Sequence, residues 1–232
     1  ALRGIAVLVW VAAQADLEAS LAVSSAPRRE AIVRTAQGLV TAAAAAGVKR
    51  LVVVTSAKVY GAAADNPIPL AEDAPLRAVR DGGVVGDLLA VEDVLLDARR
   101  AHPALELTVI RPAAIVGTGI DTVVTRHFEA PRLLTVKGAD PAWQFCHVED
   151  LARAVTLAAR TDLGAVLTVG CAGSLTQSQV ERLTGMRRVQ LSESAALGTA
   201  QRLHRFGVLP APASELAFAL YPWVVDSGRL RA

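Results

Sequence analysis

Short apolar runs alternate along most of the chain with longer segments in which apolar residues recur every three to four positions. The apolar runs that predict strands are residues 5–11, 51–55, 107–111 and 166–169. The segments whose periodicity predicts helices are residues 28–46, 84–102 and 150–160. Apolar runs without polar alternation are typical of strands that are covered on both faces. The alternation therefore predicts right-handed βαβ units and a doubly wound parallel α/β sheet.

The last part of the chain has a different pattern, with shorter elements and no long apolar run. Residues 174–185, 194–206 and 214–220 have helical patterns, and residues 189–191 could form a strand. Small elements that follow a doubly wound sheet suggest a separate lobe. We expect this small C-terminal lobe to bind the substrate.

Composition and charge exclude several kinds of partner. Hydrophobic residues make up 53% of the 232 residues and charged residues 20%, which is enough to bury a large core. The net charge of +2 forms no basic stripe, so we expect no nucleic-acid partner. The longest apolar stretch, residues 5–13, is about half of the ~20 residues that cross a bilayer. We therefore expect no membrane span.

The cysteines add little. Cys146 and Cys171 cannot build a disulfide framework and do not have the spacing of metal ligands. No other group of histidine, cysteine or acidic residues has that spacing, so the sequence predicts no metal site. So few cysteines fit a reducing compartment, and we expect a cytoplasmic protein.

The segment at residues 53–61 contains the candidate chemistry. The hydroxyl residues Thr55 and Ser56 end a buried strand. Open α/β sheets bind their ligands at the carboxyl ends of the strands, so these hydroxyls are candidates for ligand contacts. The alternative is that they only cap the turn that follows the strand.

Five segments, including this one, follow one another in a characteristic order. They are residues 8–13 (LVWVAA), 46–52 (AGVKRLV), 53–61 (VVTSAKVYG), 108–112 (TVIRP) and 145–152 (FCHVEDLA). Together they resemble the motifs of extended short-chain dehydrogenases/reductases, of the NAD-dependent epimerase/dehydratase family. The resemblance covers about residues 5–170 and implies a Rossmann-type domain that binds NAD or NADP.

The resemblance implies a division of the chain and a role for several residues. It places a partial Rossmann-type domain at residues 1–118 and 143–172, and the substrate-binding lobe at residues 119–142 and 173–232. Ser56 matches the catalytic hydroxyl, which donates a hydrogen bond to the substrate oxygen at the carbon that gains or loses hydride. The residues that would contact the cofactor are Ala12, Ala13, Thr55, Pro112 and Ala113.

The chain departs from the family at its beginning. The family opens with a strand, a loop of the pattern G-x-x-G-x-x-G and a helix whose N-terminus holds the pyrophosphate. No such pattern is present, and the first strand matches the fourth strand of the family. We therefore expect the sequence to be a fragment, or a chain whose N-terminal strands are missing here.

The second departure affects the chemistry. The family's Tyr-x-x-x-Lys pair transfers a proton, because the lysine lowers the tyrosine pKa. The matching positions, aligned on Glu92, are Val84 and Leu88. The only tyrosines are Tyr60 and Tyr221, and neither has a lysine four residues later. Hydride transfer by the usual acid–base route is therefore in doubt.

Other residues could take over part of this chemistry. Asp87 lies near Val84 on the same predicted helix and could act as an acid, or it could simply be an acidic residue favoured in the first helical turn. Arg126 and His127 follow the Arg-Pro strand where the substrate lobe begins, and the pair could hold a phosphate or carboxylate. The alternative for this pair is an ordinary surface loop.

Three functions remain open at this level. The protein could be an atypical NAD(P)-dependent oxidoreductase or epimerase that acts on a small-molecule substrate. It could be a catalytically inactive dinucleotide-binding sensor or regulator, or a cofactor-independent isomerase or lyase on the same fold. The family often pairs through the two helices that match residues 28–46 and 84–102, so a homodimer is possible.

Overall fold

The computed structural model describes residues 2–12, 25–205 and 213–230, and the helices and strands follow the predicted alternation. The strands are β1 (Val7–Val11), β2 (Arg50–Val54), β3 (Glu106–Pro112), β4 (Ala114–Val116), β5 (Leu133–Val136), β6 (Ala142–Trp143), β7 (Phe145–His147), β8 (Val166–Val169), β9 (Leu175–Thr176) and β10 (Arg188–Leu191). The helices are α1 (Ser25–Ala45), α2 (Val84–Ala101), α3 (Val123–Glu129), α4 (Val148–Arg160), α5 (Gln177–Thr184) and α6 (Glu193–Arg205). Short 3-10 helices span Ala57–Tyr60, Ala213–Ala219 and Gly228–Leu230.

A four-stranded parallel sheet forms the centre of the fold. Its strand order is β1-β2-β3-β8, with Val9 opposite Val52 and Val52 opposite Thr108. All five residues of β2 are buried, because neighbouring strands and both faces of the sheet cover them. The prediction of a parallel, Rossmann-type α/β fold is confirmed.

The side chains of β2 alternate between two apolar layers. Leu51 and Val53 face a layer that α1 and α2 close with Ala36 and Leu89. Val52 and Val54 face the opposite layer, which α4 and the C-terminal segment cover. Because side chains alternate along a strand, one buried strand supplies both cores.

The small elements outside the sheet form three strand pairs. β5 pairs with β10 and β4 with β7, both in parallel, and β6 pairs with β9 in antiparallel orientation. The last segment of the chain returns to the loop before α2, where the amide of Leu70 donates to the carbonyl of Val224 at 2.7 Å. The side-chain amide of Gln144 holds both backbone groups of Val225 at 2.9 Å. The segment that contains Val224 and Val225 is thus hydrogen-bonded to the loop before α2 and to Gln144.

The structure corrects several details of the prediction. Helix α3, strand β5 and the 3-10 helix that follows β2 were not expected from the pattern. The predicted helix at 174–185 is shorter, because residues 175–176 pair as β9 before α5 begins. Residues 214–220 form mainly a 3-10 helix. The end of the predicted helix at 194–206 lies partly outside the described residues.

Two structural observations concern the helices named in the partner predictions. Among the described helices, none combines the length and apolarity needed to cross a bilayer. The helices α1 and α2, which were suggested as a dimer surface, pack against one another along one face of the sheet. The homodimer and the division into two domains stay predictions.

Helix α2 offers a matched test of the core. Leu89 is fully buried, whereas Leu96 on the same helix is 46% exposed. We expect Leu89→Ala to lower the free energy of unfolding by about 2–5 kcal/mol, because it removes methyl groups and leaves a cavity. We expect Leu96→Ala to cost about 1 kcal/mol or less. Urea unfolding followed by circular dichroism measures both, and equal losses would contradict the assigned layer.

Candidate active site

Thr55 lies at the carboxyl end of β2, and its hydroxyl is used inside the protein. The residue is fully buried. Its amide donates to the carbonyl of Ile110 at 2.8 Å, and its hydroxyl donates to Glu92 Oε1 at 2.8 Å. Thr55 therefore fixes the end of the strand, and its predicted contact with a cofactor stays a prediction.

Ser56 begins the 3-10 helix and is half-buried. Its backbone is extended (φ −157°, ψ 146°), and it caps the N-terminus of the 3-10 helix Ala57–Tyr60. Its hydroxyl oxygen accepts a hydrogen bond from the amide of Lys58 at 3.2 Å. Within the described part of the chain, no acceptor lies within hydrogen-bonding distance of this hydroxyl. The hydroxyl proton is therefore available to a ligand at the carboxyl edge of the sheet.

Gly61 ends this short helix in a conformation that favours glycine. Its φ is +78°, and a Cβ at this position would lie 2.9 Å from backbone atoms of Arg77 and Ala78. The loop before α2 therefore packs directly against the end of the Ser56 motif. This close approach of the two backbones requires glycine at position 61.

A buried ion pair between Arg111 and Glu92 connects the elements around the Ser56 motif. Arg111 on β3 donates from Nε to Glu92 Oε1 at 3.0 Å and from Nη2 to Glu92 Oε2 at 2.6 Å. The side chains are only 7% and 5% exposed. The remaining nitrogen, Nη1, donates to the Tyr60 hydroxyl at 2.8 Å and to the carbonyl of Glu72 at 3.3 Å. Strand β3, helix α2 and the Ser56 motif are thereby joined.

Tyr60 does not replace the missing catalytic tyrosine in this arrangement. Its hydroxyl donates to the carbonyl of Glu72 at 2.8 Å, and its ring lies 4.8 Å from the Arg111 guanidinium carbon. Burial raises the pKa of the Tyr60 phenol, and the neighbouring Arg111 only partly opposes this effect. The phenol therefore stays protonated near neutral pH, with its proton directed into the protein.

The two positions that match the Tyr-x-x-x-Lys pair are apolar. Leu88 is 2% exposed and belongs to the layer that also contains Val53 and Val59. Val84 is the first residue of α2 and is half-buried. Neither residue can transfer a proton or donate a hydrogen bond to a ribose.

Asp87, the predicted substitute acid, has the contacts of a structural link. It is 2% exposed, and its two oxygens accept hydrogen bonds from Arg28 Nε at 2.6 Å and Arg29 Nε at 2.9 Å. These arginines lie on α1, so Asp87 joins α1 to α2. Because guanidinium groups hold both oxygens, the geometry favours the structural role, and the catalytic role stays a prediction.

The small residues predicted to contact a cofactor lie at the ends of two other strands. Ala12, directly after β1, donates its amide to the carbonyl of Val54 at 2.9 Å. Pro112 ends β3, and the amide of Ala113 donates to the carbonyl of Val169 at 2.8 Å. Ala13 lies outside the described residues. Their predicted contact with a cofactor stays a prediction, and Leu88 has no group that could donate to a ribose.

Arg126 and His127 lie on α3 and have different partners. Arg126 makes two hydrogen bonds of 2.6 Å with the carboxylate of Asp121 at the surface. The ring of His127 stacks on Trp143 with centroids 5.7 Å apart and meets Phe128 edge-on at 4.9 Å. Joint binding of an anionic group by this pair stays a prediction.

Sequence reasoning missed the ion pair between Lys58, which follows Ser56 by two residues, and Glu215. Lys58 Nζ lies 3.3 Å from Glu215 Oε2, and the two side chains are only 19% and 12% exposed. The ammonium also lies 5.0 Å from the centre of the Phe218 ring. Lys58 lies within the segment 53–61, so its position in the sequence could have marked it as a candidate site residue. Its partner is 157 residues away in sequence, and no local pattern connects the two.

A separate cavity of about 450 Å³ is lined by residues 136–142, Thr176, Glu193, residues 220–222 and Ile68. Its polar lining residues are Lys137, Asp140, Thr176, Glu193 and Tyr221. None of its lining residues belongs to the carboxyl edge of the central sheet. Across the described ranges, no group of three or more histidine, cysteine or acidic side chains could hold a metal ion.

The Arg111–Glu92 pair gives a direct test of the frame. We expect Arg111→Leu to lower the free energy of unfolding by about 3–5 kcal/mol, because it leaves a buried carboxylate without its partner. Arg153 also forms an ion pair, but its side chain is 75% exposed. We expect Arg153→Leu to cost about 1 kcal/mol or less. Urea unfolding of the two variants decides the matter, and similar losses would refute a dominant role for the buried pair.

His127 predicts a pH dependence of stability. Burial lowers the pKa of its imidazole below the usual value. The unfolded chain therefore binds more protons than the folded protein just below about pH 6.5, and stability falls as the pH drops through this range to the folded pKa. We expect His127→Gln to reduce this fall, as measured by urea midpoints between about pH 7 and 5. An NMR titration that gives His127 a pKa above 6.5 would contradict the prediction.

Comparisons with known proteins agree with this architecture. The model of the NAD dependent epimerase/dehydratase family matches residues 3–170. Uncharacterized proteins of Mycobacterium tuberculosis and Mycobacterium bovis are 28% identical over 189 residues, which cover 81% of this chain and 50% of theirs. The chain thus spans about half the length of the curated relatives it matches.

Two solved structures illustrate the likeness. MoeE5 in complex with UDP-glucuronic acid and NAD is 27% identical, with a TM-score of 0.61 over 82% of this chain and 67% of that protein. The dTDP-glucose 4,6-dehydratase of Streptomyces venezuelae, solved with NAD bound, has a TM-score of 0.68 over 99% of this chain and 67% of its own. It is 19% identical and supports the fold alone. The family match, which covers most of the chain, shows that this protein belongs to the NAD dependent epimerase/dehydratase family.

Proposed function

We propose that the protein is an NAD(P)-dependent oxidoreductase of the epimerase/dehydratase type that acts on a nucleotide sugar through an atypical active site. The solved relative with 27% identity binds UDP-glucuronic acid and NAD, which supports this class of substrate and cofactor.

The observation that carries the proposal is the position of Ser56. Its hydroxyl proton has no acceptor among the described residues, and it lies at the carboxyl end of the central strand β2. The buried contacts of Thr55 and Tyr60, on either side of it, hold the motif in place. A preorganised donor of this kind stabilises negative charge on a substrate oxygen without reorganisation during the reaction.

The cofactor, when bound, would accept or return a hydride at its nicotinamide ring. Ala12, Pro112 and Ala113 would hold that ring, because their small or rigid side chains lie at the ends of β1 and β3, the two strands that flank β2. Ser56 would orient the substrate oxygen and share its charge. Leu88 is buried in the apolar layer and offers no hydrogen-bond donor, so binding of the ribose would depend on other residues.

A second candidate is a dinucleotide-binding sensor or regulator without catalysis. The burial of Leu88 in the apolar layer favours it, because no cation stands at the usual position to assist a proton donor. The two candidates share the cofactor and differ in turnover.

Cofactor binding and turnover separate these candidates. We expect NAD⁺ or NADP⁺ to bind to the complete gene product, as measured by calorimetry, with the 232-residue chain titrated in parallel. Reduced cofactor is then followed after addition of UDP-glucose, UDP-glucuronic acid or dTDP-glucose. Binding without turnover of any probe would favour the sensor, and absence of dinucleotide binding would overturn both candidates.

Ser56 provides the residue-level test. We expect Ser56→Ala to lower kcat by about 10²–10³-fold, because it removes a donor to the reacting oxygen. Cofactor affinity should remain unchanged. Ser174 is exposed and lies in the lobe, so Ser174→Ala is the matched control and should retain activity. Full activity of Ser56→Ala would refute the assigned role.

A further inference from the structure

Lys58 differs from the other lysines of the chain. Of the three lysines in the sequence, Lys49 and Lys137 are exposed, and the Lys49 side chain is 70% exposed where it approaches Glu106 at 3.8 Å. The Lys58 side chain is 19% exposed and follows Ser56 by two residues. It therefore brings a partly desolvated amine to the carboxyl edge of the sheet.

The surroundings of Lys58 hold the ammonium in one place. Glu215 Oε2 lies 3.3 Å from Nζ, and the face of Phe218 lies 5.0 Å from it. Both partners belong to the C-terminal 3-10 helix Ala213–Ala219. A lysine has three N–H donors, and only one hydrogen bond from Nζ is made within the described residues. Two of its N–H donors thus remain for a ligand.

The chemistry of the side chain distinguishes this pair from the other buried ion pairs. Glu92 and Asp87 are held by arginines, whose guanidinium groups do not release protons in proteins. A lysine can release and recover a proton, and it serves as a base in catalysis when it is partly buried. The only partly buried lysine of the chain follows Ser56 by two residues, in a site that has no tyrosine to carry a proton.

We propose that Lys58 is the proton-transfer group of the site, and that Glu215 is a positioning residue that holds it beside the substrate oxygen bound by Ser56. This inference rests on the proposed function, because it assigns a residue to that same reaction. It makes the C-terminal segment a functional part of the active site.

The proposed step conserves atoms and charge. In the reductive direction the Lys58 ammonium, which is the form paired with Glu215, would donate a proton from Nζ to the carbonyl oxygen while a hydride from the reduced nicotinamide cofactor adds to the carbonyl carbon. The carbonyl becomes an alcohol, the cofactor is oxidised, and Lys58 is left as a neutral amine that regains a proton from solvent. The oxidative direction is the reverse: the C–H hydrogen would leave as hydride to the oxidised cofactor and the O–H proton would pass to the neutral amine.

Two substitutions at Lys58 separate proton transfer from charge pairing. Lys58→Met removes both, whereas Lys58→Arg keeps the positive charge and the partner Glu215 but cannot release a proton at working pH. We expect both variants to lose about 10²–10⁴-fold in kcat, while KM changes far less. Lys49→Met, which removes an exposed lysine, should retain wild-type kinetics. An active Lys58→Arg variant would reduce Lys58 to an ion-pair partner and overturn the proposal.

Glu215 has its own test. We expect Glu215→Gln to lower kcat with little change in KM, and Glu215→Asp to recover part of that loss. Thermal unfolding by circular dichroism checks that the variants are folded. If Glu215→Gln is folded and has wild-type kcat, the positioning role is wrong.

A labelling experiment provides a readout that does not depend on turnover. Reductive methylation of the complete gene product is followed by mass spectrometry at Lys49 and Lys58, with NAD⁺ and UDP-glucuronic acid, UDP-glucose or dTDP-glucose as probes. We expect a bound nucleotide sugar to abolish labelling of Lys58 and to leave that of Lys49 unchanged. If calorimetry shows binding but Lys58 stays reactive, this inference alone is overturned. If no probe binds, the proposed function is overturned together with it.

Discussion

The arrangement of the site depends on one buried ion pair, between Arg111 and Glu92. Taking both charges out of water costs several kcal/mol for each ion, so the pair can persist only with excellent geometry and further hydrogen bonds. The structure supplies both, since two parallel contacts join guanidinium and carboxylate. Thr55 and Tyr60 satisfy the remaining atoms. The polar network thereby fixes the carboxyl ends of β2 and β3 against α2, and Ser56 is held at that junction.

Glu72 connects this polar network to Arg229 in the C-terminal segment. Its carbonyl accepts hydrogen bonds from Tyr60 and Arg111, while its carboxylate contacts the amide of Thr168 at 3.3 Å and Arg229 Nη2 at 2.7 Å. One residue of the loop before α2 thus connects the Ser56 motif, strand β8 and the C-terminal segment. Glu215, which contacts Lys58, belongs to this C-terminal segment.

The sequence was sufficient for the features that depend on local periodicity. The uninterrupted apolar run at β2 predicted a strand covered on both faces, and the structure places its alternate side chains in two layers. The placement of Thr55 and Ser56 at a strand end followed from the same run. Helix α3 and strand β5 were missed, although the sequence of β5 (LLTV) resembles that of the predicted strand β8 (VLTV). The two residues of β9 pair with β6, 33 residues earlier at Ala142 and Trp143, and no local pattern could reveal that contact.

The roles of charged side chains could not be predicted in the same way. Asp87 sits in the first turn of a helix, which says nothing about Arg28 and Arg29 some 58 residues earlier. Lys58 was read only as part of a motif, because Glu215 lies far along the chain. In both cases tertiary contacts choose between a structural and a chemical role, and those contacts are set by the packing of whole elements.

The loss of the Tyr-x-x-x-Lys pair is consequently part of the packing and not an isolated change. Leu88 contributes to the apolar layer beneath β2, together with Val53 and Val59. A lysine at this position would place its side chain in this apolar layer, and an ammonium desolvated there would cost several kcal/mol. The partly buried lysine of the chain, Lys58, stands instead on the 3-10 helix after β2, where Glu215 and the Phe218 ring compensate its charge. The fold thus keeps Ser56 at the end of β2 and places a lysine two residues after it, held by the C-terminal segment.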